Sequence, residues 1–362
     1  MVNERTIFEK YRSERSNDLS LAVYITRHSV SAVLYDMTLN RRYARCVQFG
    51  ITIGLDNAVA SVGGVIMRLM RESGTPGNAV KKLGFAAPAD ITMLIEEMIS
   101  PTDLFLPPDV ELVILPMISA ALGGDFAAVM AAAMQQEGSV LAADITGGFR
   151  AAAFSDNRIK YMFMPLKGGL DGCGLESGMP LESGAIDELS REPDGTICYS
   201  VIGDGDSMGI SAPAAVNAVK LMLDCGVIDR DGIMTDRDLF YIGEDYYISQ
   251  QDVRAVQSDK AACRAALELF GRECGRTCRA IISGEAFGSE RGAGLMAELG
   301  AVPPGLAEKY GWNRCPGEQG IIACLTDPDL LDRLELLCAD AEDVSERVNE
   351  DFNELYIKNL GF

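Results

Sequence analysis

Residues 21–36 read LAVYITRHSVSAVLYD, and residues 141–156 read LAADITGGFRAAAFSD. Aligned at an offset of 120 without a gap, the two stretches are identical at six of sixteen positions. The identical pairs are Leu21/Leu141, Ala22/Ala142, Ile25/Ile145, Thr26/Thr146, Ala32/Ala152 and Asp36/Asp156. Self-similarity of this kind indicates an internal structural repeat, so the chain is predicted to contain two matched halves.

Both copies also have the same surroundings in the sequence. Each is an apolar strand, a polar break and a second apolar strand, with a third strand predicted near 43–49 and near 159–164. Alternating helices and strands follow, which is typical of an α/β protein. This order predicts a duplicated ribonuclease-H-like fold, the actin, sugar kinase and Hsp70 (ASKHA) class, with a cleft between two lobes. We expect a charged extension over 1–18, a first lobe over 19–140 and a second lobe over 141–362.

The composition restricts the classes of partner. The chain has 362 residues, 48% of them hydrophobic, and a formal net charge of -21. So much negative charge repels nucleic-acid phosphates and anionic lipids, so neither is expected as a partner. Residues 1–18 contain no apolar signal segment, and no apolar run approaches the length of a membrane span. We therefore expect a cytoplasmic protein.

Cysteine and histidine usage limits the metal chemistry. Ten cysteines are scattered along the chain without a Cys-x-x-Cys pair, and His28 is the single histidine. Zinc sites and iron–sulfur clusters usually draw on closely spaced ligands, so neither group is expected. His28 lies within a strand pattern and has no nucleophile motif beside it, which disfavours a hydrolytic triad.

Five segments of the second half resemble a known family. They are GGLDGCGLESGMPLESGAID at 168–187, GISAPAAVNAVKLMLDCGVIDRDGIM at 209–234, YISQQDVRAVQSDKAACRAALELF at 247–270, ISGEAFGSE at 282–290 and DFNELYIKNLGF at 351–362. In this order and spacing they resemble the C-terminal domain of the reductive activators of corrinoid proteins. Residues 19–140 resemble the middle region of the same proteins.

This resemblance implies a function that uses ATP. Family members use ATP to drive the electron transfer that returns a cobalt(II) corrinoid to the cobalt(I) state in a methyltransferase system. An N-terminal ferredoxin-like domain with a [2Fe–2S] cluster supplies the electron, and the C-terminal domain binds nucleotide and, as a dimer, the corrinoid protein. The chain is accordingly expected to be an ATP-binding, homodimeric accessory protein that uses ATP and Mg²⁺ and binds a corrinoid protein. No cysteine precedes the first predicted strand, so no iron–sulfur cluster of its own is expected.

The first phosphate-facing turn departs from the family pattern. The family has Asp-x-Gly-Thr-Thr there, whereas the aligned residues here are Tyr24, Thr26, Arg27 and His28. Tyrosine in place of aspartate removes a carboxylate that would hold hydrated Mg²⁺. Loss of the glycine restricts the approach of the backbone to a phosphate.

The second turn, Asp-Ile-Gly-Thr-Asn-Gly-Glu in the family, corresponds to residues 144–150. Asp144 is a candidate catalytic carboxylate and the candidate for holding a water on Mg²⁺. Thr146, Gly147 and Gly148 are candidates for phosphate contact through a hydroxyl and backbone N–H groups. Arg150 stands where the family has an acid, which reverses a charge beside the cleft.

Further candidates lie in two glycine-rich segments. Asp171 replaces the glutamate of a Gly-Pro-x-Phe-Glu-Gly pattern and is the second candidate catalytic residue. Gly172 beside it is a candidate for cofactor binding. Gly284 and Gly288, in the turn SGEAFG, are candidates for letting an adenine ring lie against the backbone.

The sequence leaves plainer interpretations open. Asp144 can cap a turn, and glycines after a strand can form an ordinary hairpin or a helix entry. The alternative function is a degenerate, non-catalytic ASKHA scaffold that binds a corrinoid protein or another partner without ATP turnover, and weak ATPase activity also stays open. A small-molecule kinase with Asp171 as its base is less favoured.

One group of residues has no role that the sequence can rank. Gln250, Asp252, Arg254 and Lys260 lie in the most family-specific segment, at the start of a predicted helix. They are compatible with a solvated helix face, and Arg254 is also compatible with an ion pair across the cleft.

Overall fold

The computed structural model describes residues 5–50, 52–136, 138–145, 148–170, 172–203, 205–235, 238–275, 279–283, 290–307, 316–349 and 351–362. Its strands are β1 (Arg5–Lys10), β2 (Leu19–Ile25), β3 (Ser29–Asp36), β4 (Arg41–Phe49), β5 (Val80–Ala86), β6 (Glu111–Ile114), β7 (Val140–Ile145), β8 (Phe149–Ser155), β9 (Arg158–Met164), β10 (Ala185–Arg191), β11 (Ile197–Val201), β12 (Gly209–Ile210), β13 (Leu239–Ile242), β14 (Tyr246–Ser249), β15 (Arg279–Ser283) and β16 (Glu342–Asp343). Its helices are α1 (Ala58–Ser73), α2 (Ala89–Met98), α3 (Gly124–Met134), α4 (Ala212–Asp224), α5 (Gln250–Glu273), α6 (Glu290–Glu298), α7 (Pro304–Ala307), α8 (Pro316–Thr326), α9 (Pro328–Ala339), α10 (Ser345–Asn349) and α11 (Phe352–Lys358).

The first sheet has six strands in the order β1-β4-β3-β2-β5-β6. Strands β2, β3 and β4 form an antiparallel meander, and β5 and β6 continue the sheet in parallel with β2. Leu21, Val23 and Ile25 of β2 point into a core that α1 and α2 cover. Strand β1, which the sequence did not reveal, pairs with β4 along the outer edge.

The second sheet repeats this plan in the order β15-β7-β8-β9-β16. Strands β7, β8 and β9 form the antiparallel meander, and β15 pairs in parallel with β7 as β5 does with β2. The predicted duplicated fold is therefore confirmed. The domain boundaries at 19 and 141 stay a prediction, and β1 and α8 both join residues from outside 19–140 to the first sheet.

The ungapped alignment of the two copies needs one correction. Ala22 pairs with Val33 in the first hairpin, whereas Ala142 pairs with Ala152 in the second, so the second hairpin turn is one residue shorter. Ala32 consequently faces the core of the first lobe, whereas Ala152 faces the core between the sheets. A shift of one residue moves a strand side chain to the opposite face of its sheet. The aligned identities in β2 and β7 are structurally equivalent, and those in β3 and β8 are offset by one position.

Two helices, α3 and α8, fill the space between the two sheets. Helix α8 contacts β2, β3 and β5, and α3 contacts β5 on one side and β7 and β8 on the other. Phe126 of α3 and Ile321 of α8 belong to one apolar core with Ala22 of β2 and Ala142 of β7. Helix α3 begins at Gly124, and residues 118–123 form the irregular connection that precedes it.

Glycines allow these two helices to come unusually close to their neighbours. A Cβ built on Gly320 of α8 would overlap the carbonyl oxygen of Ala128 in α3. A Cβ on Gly84 of β5 would lie 2.6 Å from Ile321, also of α8. Since these positions leave no room for a side chain, the helix pair and the first sheet depend on glycine for their spacing.

Residues between β9 and α5 form an insertion that carries two small sheets. The first has the order β11-β10-β12, and the second is the hairpin β13-β14. Helix α4 and the long helix α5 pack with these strands on the side of the second sheet that faces away from α3. In the described part of the chain, no helix is both long and apolar enough to cross a membrane.

Replacing Gly320 with alanine is expected to lower the free energy of unfolding by about 3 kcal/mol, because the new methyl group would push α8 away from α3. Denaturant unfolding of the purified protein measures this change. Gly64→Ala is the matched control, since Gly64 lies exposed in α1 with open space around its Cβ position. That substitution is expected to add about 0.5–1 kcal/mol. Equal effects of the two substitutions would contradict the close packing at Gly320.

Candidate functional site

The turn after β2 is filled by the chain's own side chains. Tyr24 lies over Gly317 at the start of α8, so closely that a Cβ on Gly317 would overlap the tyrosine ring. Arg27 makes an ion pair of 2.8 Å with Asp90 at the start of α2. Thr26 donates its backbone N–H to Ser29 O at 2.9 Å and closes the turn. The position of the family's aspartate is thus occupied by an aromatic ring packed on a helix terminus.

Next to that ring, a buried carboxylate ties α8 to the first sheet. Glu318 is 1% exposed and accepts hydrogen bonds from Ser31 and from Arg45, whose Nε lies 2.7 Å away. A buried charge is tolerated when it is paired and hydrogen-bonded in this way. Its function in the described structure is to fix α8 against β3 and β4.

Three charged groups from β7, β8 and α3 are in contact next to the turn that follows β7. Asp144 and Arg150 are cross-strand partners on β7 and β8, and their side chains form an ion pair. The same guanidinium donates to Asp125 of α3 at 2.9 Å. Because Asp125 is 2% exposed and Asp144 is 6% exposed, the three groups form a buried cluster that joins the second sheet to α3.

This cluster carries one more negative than positive charge. Burial acts to lower the pKa of Arg150, but the charges of Asp144 and Asp125 outweigh it and the net shift is upward. Oδ1 of Asp125, Oδ1 of Asp144 and Nε of Arg150 are buried and make no hydrogen bond within the described residues. Arg150 therefore stays charged, and each carboxylate keeps one oxygen without a partner there.

These contacts decide whether the residues fit Mg²⁺. A hydrated Mg²⁺ needs a carboxylate oriented toward it and room for its waters. One oxygen of Asp144 is already bound to a guanidinium, and the first turn offers tyrosine in place of aspartate. Among the described residues, no group of three or more His, Cys, Asp or Glu side chains is arranged to hold a metal ion. The described set does not fit Mg²⁺, and the metal role of Asp144 stays a prediction.

The remaining candidates divide into described and undescribed positions. Five of them lie outside the described residues: Thr146, Gly147, Asp171, Gly284 and Gly288. Gly148 has φ +144°, and a Cβ there would come within 2.9 Å of the Phe163 ring. Gly172 has φ +79°, and a Cβ there would lie 2.6 Å from the carbonyl oxygen of Met179. At both positions the positive φ and the close neighbour disfavour any side chain, which accounts for the glycine. The role of these two glycines in binding stays a prediction.

The glycine-rich segment after β9 is held by a carboxylate of α5. Asp259 is 1% exposed and accepts the backbone N–H groups of Lys167 and Gly169, each at 2.7 Å, and that of Leu170 at 3.2 Å. A Cβ on Gly169 would overlap the backbone at Ala255, so the segment lies directly on the helix. This part of the glycine-rich segment is therefore anchored to α5.

A second carboxylate, one heptad earlier on α5, has the same function. Asp252 accepts the N–H of Ser249 at 2.8 Å, which caps the helix, and the N–H of Glu176 at 2.8 Å. Residues seven apart lie on one face of a helix, so Asp252 and Asp259 hold successive parts of the glycine-rich segment.

The other residues of the family-specific segment hold two further parts of the chain. Gln250 bonds the backbone of Gly232 and Met234. Arg254 donates to the carbonyl of Asp231 at 2.6 Å. Lys260 is 3% exposed and donates to the carbonyls of Asn359, at 2.7 Å, and Gly361, at 2.5 Å. The segment is thus a structural centre for the glycine-rich segment, the 229–234 turn and the C-terminal residues.

Sequence reasoning missed four buried acids: Asp125, Asp252 as an anchor, Asp259 and Glu318. The available signal was position, since Asp125 and Glu318 each start an otherwise apolar helix and Asp259 follows Asp252 at helical spacing. Acids are seldom fully buried without a partner, so each such position predicts a buried contact. The residues that make the contact are distant in the sequence, so the sequence alone does not identify them.

The chain is similar to a known protein family and to a named relative. The family described as the C-terminal domain of RACo, the ASKHA domain, matches residues 168–362. The corrinoid activation enzyme RamQ of Eubacterium limosum is 28% identical over an alignment of 242 residues, and the match covers 56% of this chain and 40% of that protein. The chain thus spans less than half the length of this relative.

A solved structure also resembles the whole chain. The reductive activator for corrinoid, iron-sulfur protein has a TM-score of 0.70 and 15% sequence identity, and the match covers 97% of this chain and 67% of that one. At this identity the match shows the shared fold alone. It agrees with the two-sheet arrangement described above.

Replacing Asp259 with alanine is expected to lower the free energy of unfolding by about 3 kcal/mol, because three backbone N–H groups lose a charged acceptor. Amide hydrogen exchange at 167–170 is expected to accelerate in the same variant. Glu268→Ala on the same helix is the control, since its pair with Arg264 at helical spacing is worth less than about 1 kcal/mol. Unchanged exchange at 167–170 would show that Asp259 does not anchor the segment.

The stability is also expected to depend on the protonation of Lys260. Burial, with a smaller effect of Arg264, lowers the pKa of Lys260 to about 8. Between that pH and the ordinary lysine pKa of about 10.4, the unfolded chain binds the proton that the folded chain has released. The free energy of unfolding therefore rises with pH in this window, relative to a Lys260→Met variant. Lys358→Met, at an exposed site on α11, serves as the control. If the difference in free energy of unfolding between the native protein and the variant is independent of pH for both substitutions, the prediction is refuted.

Proposed function

Because the chain belongs to the family of the C-terminal ASKHA domain of RACo, we propose that it is an ATP-binding accessory protein of a corrinoid-dependent methyltransferase system. The similarity to an enzyme named for corrinoid activation is the observation that carries this proposal. The proposed partner is a corrinoid protein, and the proposed assembly is a homodimer. A weak ATPase activity belongs to the same proposal.

The proposed ATP site is the cleft between the two sheets. Strands β2, β5 and β6 run in parallel, as do β7 and β15, so the carboxyl ends of each set meet at one edge of its sheet. Ligands of α/β proteins commonly bind beyond such ends. In the sequence, the candidate residues Thr146, Gly147 and Gly148 come directly after β7, and Gly284 and Gly288 come after β15.

The chain's own residues at this edge favour binding over turnover. Arg150 neutralises Asp144, and Tyr24 occupies the other turn, so no described carboxylate there is left unpaired to orient a metal. Phosphate contact would then depend on backbone N–H groups and the Thr146 hydroxyl, which can hold an anion without a metal ion. No catalytic step through Mg²⁺ follows from the described residues.

A second candidate function is a scaffold that binds its partner without nucleotide. The Asp144, Arg150 and Asp125 cluster supports it, since a buried group with net negative charge beside the cleft repels phosphates. Such a scaffold would keep the partner-binding surface of the family but would not bind nucleotide.

Isothermal titration calorimetry with ATP separates the two candidates. The accessory-protein proposal predicts saturable binding whose affinity changes less than about threefold between excess Mg²⁺ and excess chelator. In a double variant, Arg150→Gln with Asp125→Asn, Asp144 is released and binding is expected to become Mg²⁺-dependent. Absence of heat at millimolar ATP would refute the ATP proposal and favour the scaffold.

The partner proposal has an independent test. The protein is mixed with a cobalt(II) corrinoid protein, and complex formation is followed by size-exclusion chromatography and the visible spectrum. A co-eluting complex or a changed spectrum, with the protein itself eluting as a dimer, is the expected result. Absence of both signals, with and without ATP and a separate reductant, would contradict the corrinoid role.

A further inference from the structure

A cavity of about 300 Å³ lies beside the start of α5, and nothing described above uses it. Lys167, Asp231, Arg254, Ser258, Tyr356 and Leu360 line it. None of its lining residues belongs to the turns after β2, β7 or β15. A cavity of this volume is at the lower end of the size range for small-molecule sites.

One wall of the cavity is a turn held tightly against α5. Gln257 and Arg254 both donate to the carbonyl oxygen of Asp231, at 3.0 and 2.6 Å. Gly232, with φ +75°, lies so close to the Gln257 amide that a Cβ there would be 2.9 Å from it. The position of Arg254 is therefore fixed by two contacts of one nitrogen, Nη1, with Asp231 and Gln257.

A second wall is formed by the C-terminal residues of the chain. The buried Lys260 holds the carbonyls of Asn359 and Gly361, and its Nζ lies 5.4 Å from the centre of the Phe362 ring. Ser258 and Tyr356 share a hydrogen bond of 2.7 Å between their hydroxyl groups. Two hydroxyls have two protons and this contact uses one, so the pair keeps one donor.

The cations that face the cavity have donors to spare. Nε and Nη2 of Arg254 make no hydrogen bond in the described part of the chain, and neither does Nζ of Lys167. Both side chains are exposed, whereas Ser258 is buried. Asp231 is the single acid among the lining residues, so the lining carries a net positive charge.

The positive charge of the lining is opposite in sign to the net charge of the whole chain. The chain has a formal net charge of -21, which repels small anions from the surface as a whole. A preorganised arginine with unused parallel donors matches the two oxygens of a carboxylate or phosphate, and a nearby lysine adds a point charge. We propose that this cavity binds a small molecule through a carboxylate or phosphate group, with Arg254 and Lys167 as its cationic partners.

The site would accept a compact anion. Its volume suits a phosphate ester or a short dicarboxylate, and the Tyr356 ring and Leu360 supply apolar surface for the carbon part of the ligand. The proposal stands independently of ATP binding in the cleft, because it uses a different set of residues.

Calorimetric titration of the full chain with inorganic phosphate and, separately, with succinate tests the site at low ionic strength. Saturable binding of at least one of them at millimolar concentration or below is expected, and the two titrations distinguish a phosphate site from a carboxylate site. Lys167→Gln and Arg254→Gln are each expected to weaken binding about tenfold or more. Arg272→Gln, an exposed cation at the other end of α5, is expected to leave the affinity unchanged.

Two further measurements keep the result interpretable. Arg254 also holds the 229–234 turn, so Arg254→Lys and the unfolding midpoint of every variant separate loss of binding from loss of folding. Repeating the phosphate titration with saturating ATP is expected to leave the phosphate affinity unchanged. Absence of saturable binding by both anions, equal binding by Lys167→Gln and the native protein, or displacement by ATP would each overturn the proposal.

Discussion

The close contact between α3 and α8 is the constraint on which the two-sheet arrangement depends. The first sheet rests on one side of this pair and the second on the other, so any change in helix spacing alters the distance between the sheets. Gly320 permits the contact, and Gly84 lets α8 approach the first sheet. The start of α8 also carries Glu318 and receives the ring of Tyr24 from β2, which packs on Gly317. Helix α8 therefore determines both the distance between the two sheets and the side chains that pack at the turn after β2.

Arg150 changes the electrostatics of the second turn in a way that the backbone does not. The strands on each side of it pair as in the first lobe, so the fold tolerates the substitution. Asp144 pairs with the fixed cation of Arg150 in place of a hydrated metal ion, and Asp125 pairs with the same guanidinium. Breaking such a buried cluster by removing one partner is costly, which makes the paired state the resting state of this turn.

The sequence predicted the meanders and their duplication because strand patterns and turns are local. It placed Ala32 and Ala152 in equivalent positions, which was wrong, because a hairpin turn shortened by one residue leaves the pattern of apolar residues intact while reversing the face. Prediction of the site was weaker. The sequence named Asp144 as a candidate, and its role stays a prediction. Its link to Asp125 through Arg150 depends on α3, and the contact of Asp259 with Lys167 joins residues ninety-two positions apart. Such contacts arise only when the chain is folded.

The central position of α8 also has a consequence for biosynthesis. The strands of the first sheet are complete by Ile114, but the face bearing Ala22, Val33 and Ala86 is covered in part by a helix that begins at Pro316. At ordinary rates of translation, that face waits on the order of tens of seconds for its cover to leave the ribosome. Part of an apolar sheet surface on the nascent chain therefore stays uncovered for longer than small domains take to fold.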